Sequence, residues 1–333
     1  MRVIWIGSAI ATAAAATAAL AIFGGAAASA APQASNSVAL VAYSTPKDAY
    51  TKIISAFNGT SAGKGVSFTQ SYGASADQAA AVAAGQPADV VALSLKPDIS
   101  TLVAKGIVAK NWQKTRYQAM VSDSIAVFIV RDGNPKHIHT WADLLKPGIQ
   151  VITPNPISSG GARWDIMAAY GAQLKLGKTK KQAVAYLRKL FTHVPVLPTS
   201  AREALTTFAS GKGDVLLDYE NDAIFANKKG VHTDFVRPKQ TILIENPVAL
   251  TKSGAKKPAA KAFVKYLTTP AAQRIFAQNG YRPVVKKILK QTAYPNPKQL
   301  FTIAYVGGWA KVEKQFFGPK NGIVTKIISS LGK

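Results

Sequence analysis

The sequence predicts an α/β protein of two lobes, each a mainly parallel sheet flanked by helices, with a cleft between them. Three observations carry this expectation. Short apolar, strand-like runs alternate with amphipathic stretches from Val38 onward, the pattern of successive βα units. The chain has 333 residues, more than a single core usually organises. Ser124-Ile125-Ala126-Val127-Phe128-Ile129-Val130, the strongest β stretch, stops at Asp132-Gly133-Asn134-Pro135, where the chain is expected to cross from one lobe into the other.

In chain order, Val38-Ala39-Leu40-Val41-Ala42-Tyr43 reads as a buried strand and 46–57 as an amphipathic helix. Strands at 66–70 and 88–93 follow, each succeeded by a helix, at 75–84 and 99–105. Strands separated by helices of this length imply parallel pairing. Beyond the 124–130 strand, the second lobe is expected to hold a helix around Trp141, a strand at 149–153, and helices at 162–174, 180–191 and 201–210. It ends with a strand at 214–217, and Thr241-Ile242-Leu243-Ile244 returns the chain to the first lobe. From Pro258 the sequence is mostly helical. The expected organisation is therefore an export signal at 1–30 and a linker at 31–36. A first lobe follows at 37–123, a second at 124–240, and the rest of the first lobe with C-terminal helices at 241–333.

Met1-Arg2, the apolar Ala-rich run to Phe23 and the small residues Ala28-Ser29-Ala30 have the form of a secretory signal cleaved near Ala30. The run is long enough to span a bilayer, but its alanines, closing glycines and A-x-A site favour cleavage and a periplasmic protein. The chain has no cysteine, which excludes disulfides, thiolate metal sites, a cysteine nucleophile and a lipid acceptor after the signal. A net charge of +25 raises the question of nucleic acid. The basic residues are scattered, however, and the densest group (Lys256, Lys257, Lys261 and Lys265) interrupts an apolar pattern like the solvated face of a helix, so no nucleic-acid partner is expected.

Three places combine a small hydroxyl residue, glycine or alanine neighbours and the start of a helix: Gly73-Ala74-Ser75-Ala76-Asp77-Gln78, Ser158-Ser159-Gly160-Gly161-Ala162-Arg163-Trp164 and Thr199-Ser200-Ala201-Arg202-Glu203. Exposed N–H groups and the positive end of the helix dipole suit an anion there, and small side chains let it approach. Ser75 with Gln78, and Ser200 with Glu203, also have capping-box spacing, the plainer use of such residues. A hydrolase would need a base beside its serine. His137 and His139 lie in a turn with no nearby carboxylate, and Asp218, Glu220 and Asp222 read as hinge or capping residues, so no enzyme is expected. Phosphate-loop, Rossmann and zinc motifs are missing, so neither cofactor nor metal is expected. Trp112, Trp141, Trp164 and Trp309 are expected in the core or between packed elements.

Ile152-Thr153-Pro154-Asn155-Pro156 running into Ser158-Ser159-Gly160-Gly161-Ala162-Arg163-Trp164 resembles the signature of periplasmic sulfate-binding proteins. Gln70-Ser71, Ala88-Asp89-Val90-Val91, Gly133-Asn134-Pro135-Lys136, Gly213-Asp214-Val215-Leu216, Glu220-Asn221, Tyr281-Arg282-Pro283 and Gly307-Gly308-Trp309-Ala310 extend the likeness over nearly the whole chain after the signal. The resemblance implies a type II periplasmic-binding-protein fold. It also implies a monomer that holds sulfate or thiosulfate in the cleft for the membrane permease of an ABC importer. Carried over residue by residue, the family's anion contacts fall on Ser75, Ser159, Gly160, Gly161 and Ala201. Tyr219 stands where the family has a tryptophan donor, and Ser44-Thr45-Pro46 where it usually has Asp-Pro, with a backbone contact at Ser44. Ala74, Ala76 and Asp77 also depart from the family's glycines and lysine beside Ser75. Phosphate, molybdate and tungstate are the alternative ligands.

Overall fold

The computed structural model describes residues 36–333; the expected signal and nearly all of the 31–36 linker lie outside the described residues. The chain opens with β1 (Ser37–Tyr43), α1 (Lys47–Asn58), β2 (Ser67–Gly73), α2 (Ser75–Ala83), β3 (Val90–Ala92) and α3 (Lys96–Ala104). The long strand β4 (Met120–Arg131) then leads into β5 (Val151–Ile152), α4 (Gly160–Lys175), α5 (Lys180–Thr192), α6 (Ala201–Ala209), β6 (Val215–Tyr219), α7 (Glu220–Lys228) and β7 (Thr233–Val236). A second long strand, β8 (Gln240–Leu250), returns, followed by α8 (Pro258–Tyr266), α9 (Pro270–Gln278), α10 (Lys286–Leu289), β9 (Gln299–Phe301), α11 (Trp309–Val312) and α12 (Ile323–Ser330).

The strands lie in the order β2-β1-β3-β8-β4-β6-β5, with β7 beside β4 and β9 beside β8. Pairing is parallel in β2-β1-β3 and between β5 and β6, as the βα alternation requires. The sheet as a whole is mixed, because β8 runs antiparallel to β3 and β4, and β4 runs antiparallel to β6 and β7. Nearly all of β4 is buried, which matches its unbroken apolar run. Its first part, to Ile125, pairs with β8, and its second, from Ala126, pairs with β6. Where the two long strands part, Thr241 Oγ1 donates to Ala126 O at 2.7 Å. The expected helix around Trp141 is only a 3-10 turn at Asp143–Leu145, and β7 was not anticipated.

In the first half of the sheet, Val38, Leu40, Tyr50 and Phe57 pack with Phe263 and Phe276 of α8 and α9. In the second half, Phe128, Trp141, Trp164 and Tyr170 share a core with Phe301, Trp309, Phe316 and Ile327. The C-terminal segment from β9 onward thus packs on the second half, whereas the sequence reading grouped it with the first. Gly171 of α4 makes this possible, since a Cβ there would stand 2.3 Å from the Phe301 ring.

Candidate functional site

Parallel strands end on one side of the sheet, and the turns that follow them carry the small residues. β1 delivers Ser44 and Thr45, β2 delivers Ala74 and Ser75, and β3 is followed by Ser94. From the other half, the starts of α4 and α6 and the end of β6 bring Ser159, Gly160, Gly161, Ala201 and Tyr219. Together with Tyr43, these residues line one small cavity of about 10 Å³, room for the centre of roughly one water-sized sphere. All seven residues singled out in the sequence (Ser44, Ser75, Ser159, Gly160, Gly161, Ala201 and Tyr219) are on that wall. Thr45 and Ala74, which flank singled-out residues, and Tyr43 and Ser94, which were not anticipated, complete it, and each lies at or just past the end of a parallel strand, the edge where α/β sheets bind ligands. Among the described residues no charged side chain lines the cavity.

The donors follow from helix geometry, because the first N–H groups of a helix have no partner within it. Ser159 caps α4 by accepting from Ala162 N at 3.3 Å, Ser200 caps α6 by accepting from Glu203 N at 3.2 Å, and Ala76 N in α2 donates to Ser158 O at 2.9 Å. The N–H groups of Ser75, Gly160, Gly161 and Ala201 have no acceptor among the described residues. The two capping boxes expected from spacing do not form as such. Ala74, not Ser75, occupies the N-cap of α2, and Gln78 instead bonds Ser71. At α6 the Glu203 carboxylate accepts from Thr199 N rather than from Ser200 N.

The Ser75 hydroxyl is committed elsewhere. It donates to Asp98 Oδ2 at 2.5 Å and accepts from Ser94 N at 2.9 Å, so the main-chain N–H is what Ser75 presents to the cavity. Burial raises the Asp98 carboxyl above its usual range, partly offset by Arg163 and by this hydrogen bond. Burial likewise pushes the Tyr219 phenol well up, reinforced by neighbouring Tyr43, so Tyr219 keeps its proton. Its oxygen lies 2.7 Å from Ser94 Oγ. Trp164 Nε1 donates to Ser94 O at 3.0 Å, and Arg202 Nη2 donates to Thr45 O at 2.9 Å. These contacts tie the two halves together around the cavity.

Behind the wall lie three buried carboxyls, Asp165, Asp218 and Asp222. Arg202 pairs with Asp222 at 3.1 Å, and burial, opposed by that arginine, leaves Asp222 pushed up to about 6. Asp165 and Asp218 are raised well above the usual carboxylate range by burial and by mutual repulsion with Asp222. Glu220, next to Tyr219, is gripped by Arg282 and Arg237. Among the described residues no group of three or more His, Cys, Asp or Glu is arranged to hold a metal ion, and no helix is long and apolar enough to cross a membrane. An open groove of about 530 Å³ between 109–121 and 248–268 is larger, but it contains none of the residues singled out in the sequence.

Such an arrangement, two βα halves joined through long strands with helix N-termini converging between them, offers main-chain donors suited to a small anion. Residues 38–282 match the family of bacterial extracellular solute-binding proteins. The sulfate-binding protein of Synechococcus elongatus is 40% identical over 293 residues, covering 84% of this chain and 83% of its own. The thiosulfate-binding protein of Pseudomonas aeruginosa is 36% identical over 83% of this chain and 88% of its own. Among solved structures, the sulfate-binding protein SubI from Mycobacterium tuberculosis superposes with a TM-score of 0.81 at 43% identity, covering 84% of this chain and 98% of that one. The chain belongs to the family of bacterial extracellular solute-binding proteins.

Proposed function

We propose that this protein captures sulfate or thiosulfate in the cavity and delivers it, as a periplasmic monomer, to the membrane permease of an ABC importer. The observation that carries the reading is the convergence of the N-termini of α2, α4 and α6 on one small, uncharged cavity. The names of the similar proteins, sulfate-binding and thiosulfate-binding, support the same ligands. Ser44, Ser75, Ser159, Gly160, Gly161, Ala201 and Tyr219 are the residues assigned to the anion. A hydrogen bond to a charged group contributes about 1.5–3 kcal/mol, and each helix terminus about 0.3–1 kcal/mol. Micromolar affinity needs about 8 kcal/mol, so several fixed donors suffice even after the costs of association.

A wall dominated by donors also discriminates. Sulfate is a bare dianion at neutral pH, whereas phosphate carries a proton that wants an acceptor. Titration calorimetry against sulfate, thiosulfate, phosphate and molybdate tests this. Sulfate or thiosulfate should bind in the micromolar range or tighter, with phosphate at least about tenfold weaker; equal affinity for phosphate would overturn the reading of the wall.

The same reading divides the chain into a first lobe of 37–123 with the chain from 241 onward and a second lobe of 124–240, with the segment from β9 packed on the second; the lobes are joined through β4 and β8, and closure on the ligand bends those strands. Small-angle scattering with and without saturating sulfate should show a smaller radius of gyration in the liganded protein. An unchanged radius would mean that the lobes do not move.

A further inference from the structure

Ser94 is held at every polar atom it has. Its N–H donates to Ser75 Oγ at 2.9 Å, and its carbonyl accepts from Trp164 Nε1 at 3.0 Å and from Asn246 Nδ2 at 3.1 Å. Its hydroxyl faces the Tyr219 hydroxyl at 2.7 Å. Ser94 follows β3 in one half of the sheet and Tyr219 ends β6 in the other, so this bond spans the cavity. Both residues are buried, at 1% exposure each, and both line the cavity wall.

Two hydroxyls share two protons. One makes the bond between them, whichever oxygen donates, and the other remains on the oxygen that accepts. The Ser75 proton is already given to Asp98, so the hydroxyl pair supplies an O–H donor that Ser75 does not. Removing either oxygen deletes the cross-cavity bond and leaves the survivor without its partner in a buried place, which is the costly way to lose a hydrogen bond.

We infer that Ser94 and Tyr219 act as one unit, a hydroxyl pair that fastens the two halves together and turns its one spare O–H toward the bound anion. This rests on the proposed sulfate or thiosulfate binding and adds to it a residue, Ser94, and a kinetic role. The pair forms only once the halves meet, so it governs release and not encounter.

The test is stopped-flow measurement of sulfate or thiosulfate association and dissociation by Tyr and Trp fluorescence, for the wild type, Ser94→Ala, Tyr219→Phe and the double variant, with circular dichroism to verify the fold. Each single variant should dissociate roughly tenfold faster, with association changed less than about twofold. The double variant should release faster than either single one, because the last O–H toward the anion is then lost as well, but the two single effects should not multiply in full, because the bond between the hydroxyls is lost only once. A Ser94→Ala protein that releases ligand at the wild-type rate, or single effects that multiply in the double variant, would overturn the inference while leaving the ligand assignment intact. A wild-type protein that binds neither anion would overturn the assignment itself, and the inference with it.

Discussion

Gly160 and Ser94 face each other so closely that a Cβ on Gly160 would stand 2.8 Å from Ser94 Cβ, and 2.5 Å from Leu95 Cδ2. The first turn of α4 therefore reaches the end of β3 only because position 160 has no side chain. Gly161 is less confined, since a Cβ there would meet Ser159 Oγ at 3.3 Å and Ala201 Cβ and Tyr219 Cε1 at 3.6 Å.

Gly160→Ala should therefore weaken anion binding by about tenfold or more while leaving the fold intact, because the two halves would no longer meet. Gly161→Ala should weaken it less. Calorimetry on both variants checks the order, and a larger loss at 161 than at 160 would show that the limit is room for the ligand and not contact between the halves.

Asp165 is fully buried, and neither of its oxygens has a hydrogen-bond donor among the described residues. Its folded-state pKa is raised by burial and by Asp222, with Asp218 also close and Arg202 the nearby cation. The folded protein thus keeps a proton that the unfolded chain gives up above about pH 4. The sign follows directly: stability is full below that pH and declines as pH rises toward the folded pKa, by up to about 1.4 kcal/mol per pH unit for one such group. Asp165→Asn should flatten the decline and be more stable than wild type at pH 8. Urea denaturation at pH 5, 6.5 and 8 measures it, and an unchanged slope would count against a protonated Asp165.

Arg282 is 2% exposed and Glu220 is fully buried. Arg282 donates to Glu220 from Nε at 2.7 Å and from Nη2 at 3.2 Å, and also to Asn296 Oδ1 and Pro295 O. Breaking a buried pair from one side strands the other charge, at about 3–5 kcal/mol. Arg282→Met should lose stability near the lower end of that range, because Arg237 stays beside Glu220. The double variant with Glu220→Gln should lose less than the sum of the singles. Additive losses in urea titrations would show that the pair is not coupled.

The chain carries a net charge of +25, and among the described residues no charged side chain lines the cavity. Long-range attraction then acts on approach and is screened by salt, while the short contacts inside are not. Raising a non-binding salt should slow sulfate association and leave dissociation nearly constant. A flat association rate in stopped flow would assign the charge to another use, such as docking on an acidic surface.

The cavity-lining residues that begin helices were legible in the local sequence. Ser159-Gly160-Gly161 and Ser200-Ala201 announce helix starts, and helix starts announce free N–H groups. Ser94 gave no such signal, because a lone serine after a short strand is commonplace and its partner Tyr219 lies 125 residues away. The turning of the Ser75 hydroxyl to Asp98 was hidden for the same reason. In the fold, the βα alternation was readable from apolar periodicity, whereas the antiparallel course of β4 and β8 depends on partners chosen across the chain, as with Ser124 opposite Ile244. The packing of the C-terminal segment on the second half turned on one glycine, Gly171, beneath Phe301.

The main-chain N–H groups of Ser75, Gly160, Gly161 and Ala201 carry a further consequence. Every residue but proline has such a group, so these donors survive most substitutions at their own positions and are lost when the chain path shifts or the neighbouring room is filled. A site built this way is robust to drift in the identity of its lining side chains and fragile to changes in the elements that aim it. Random mutagenesis should accordingly find many of its most damaging lesions in the supporting strands and helix packing, and fewer at cavity-lining hydroxyls outside the Ser94–Tyr219 pair, such as Ser44.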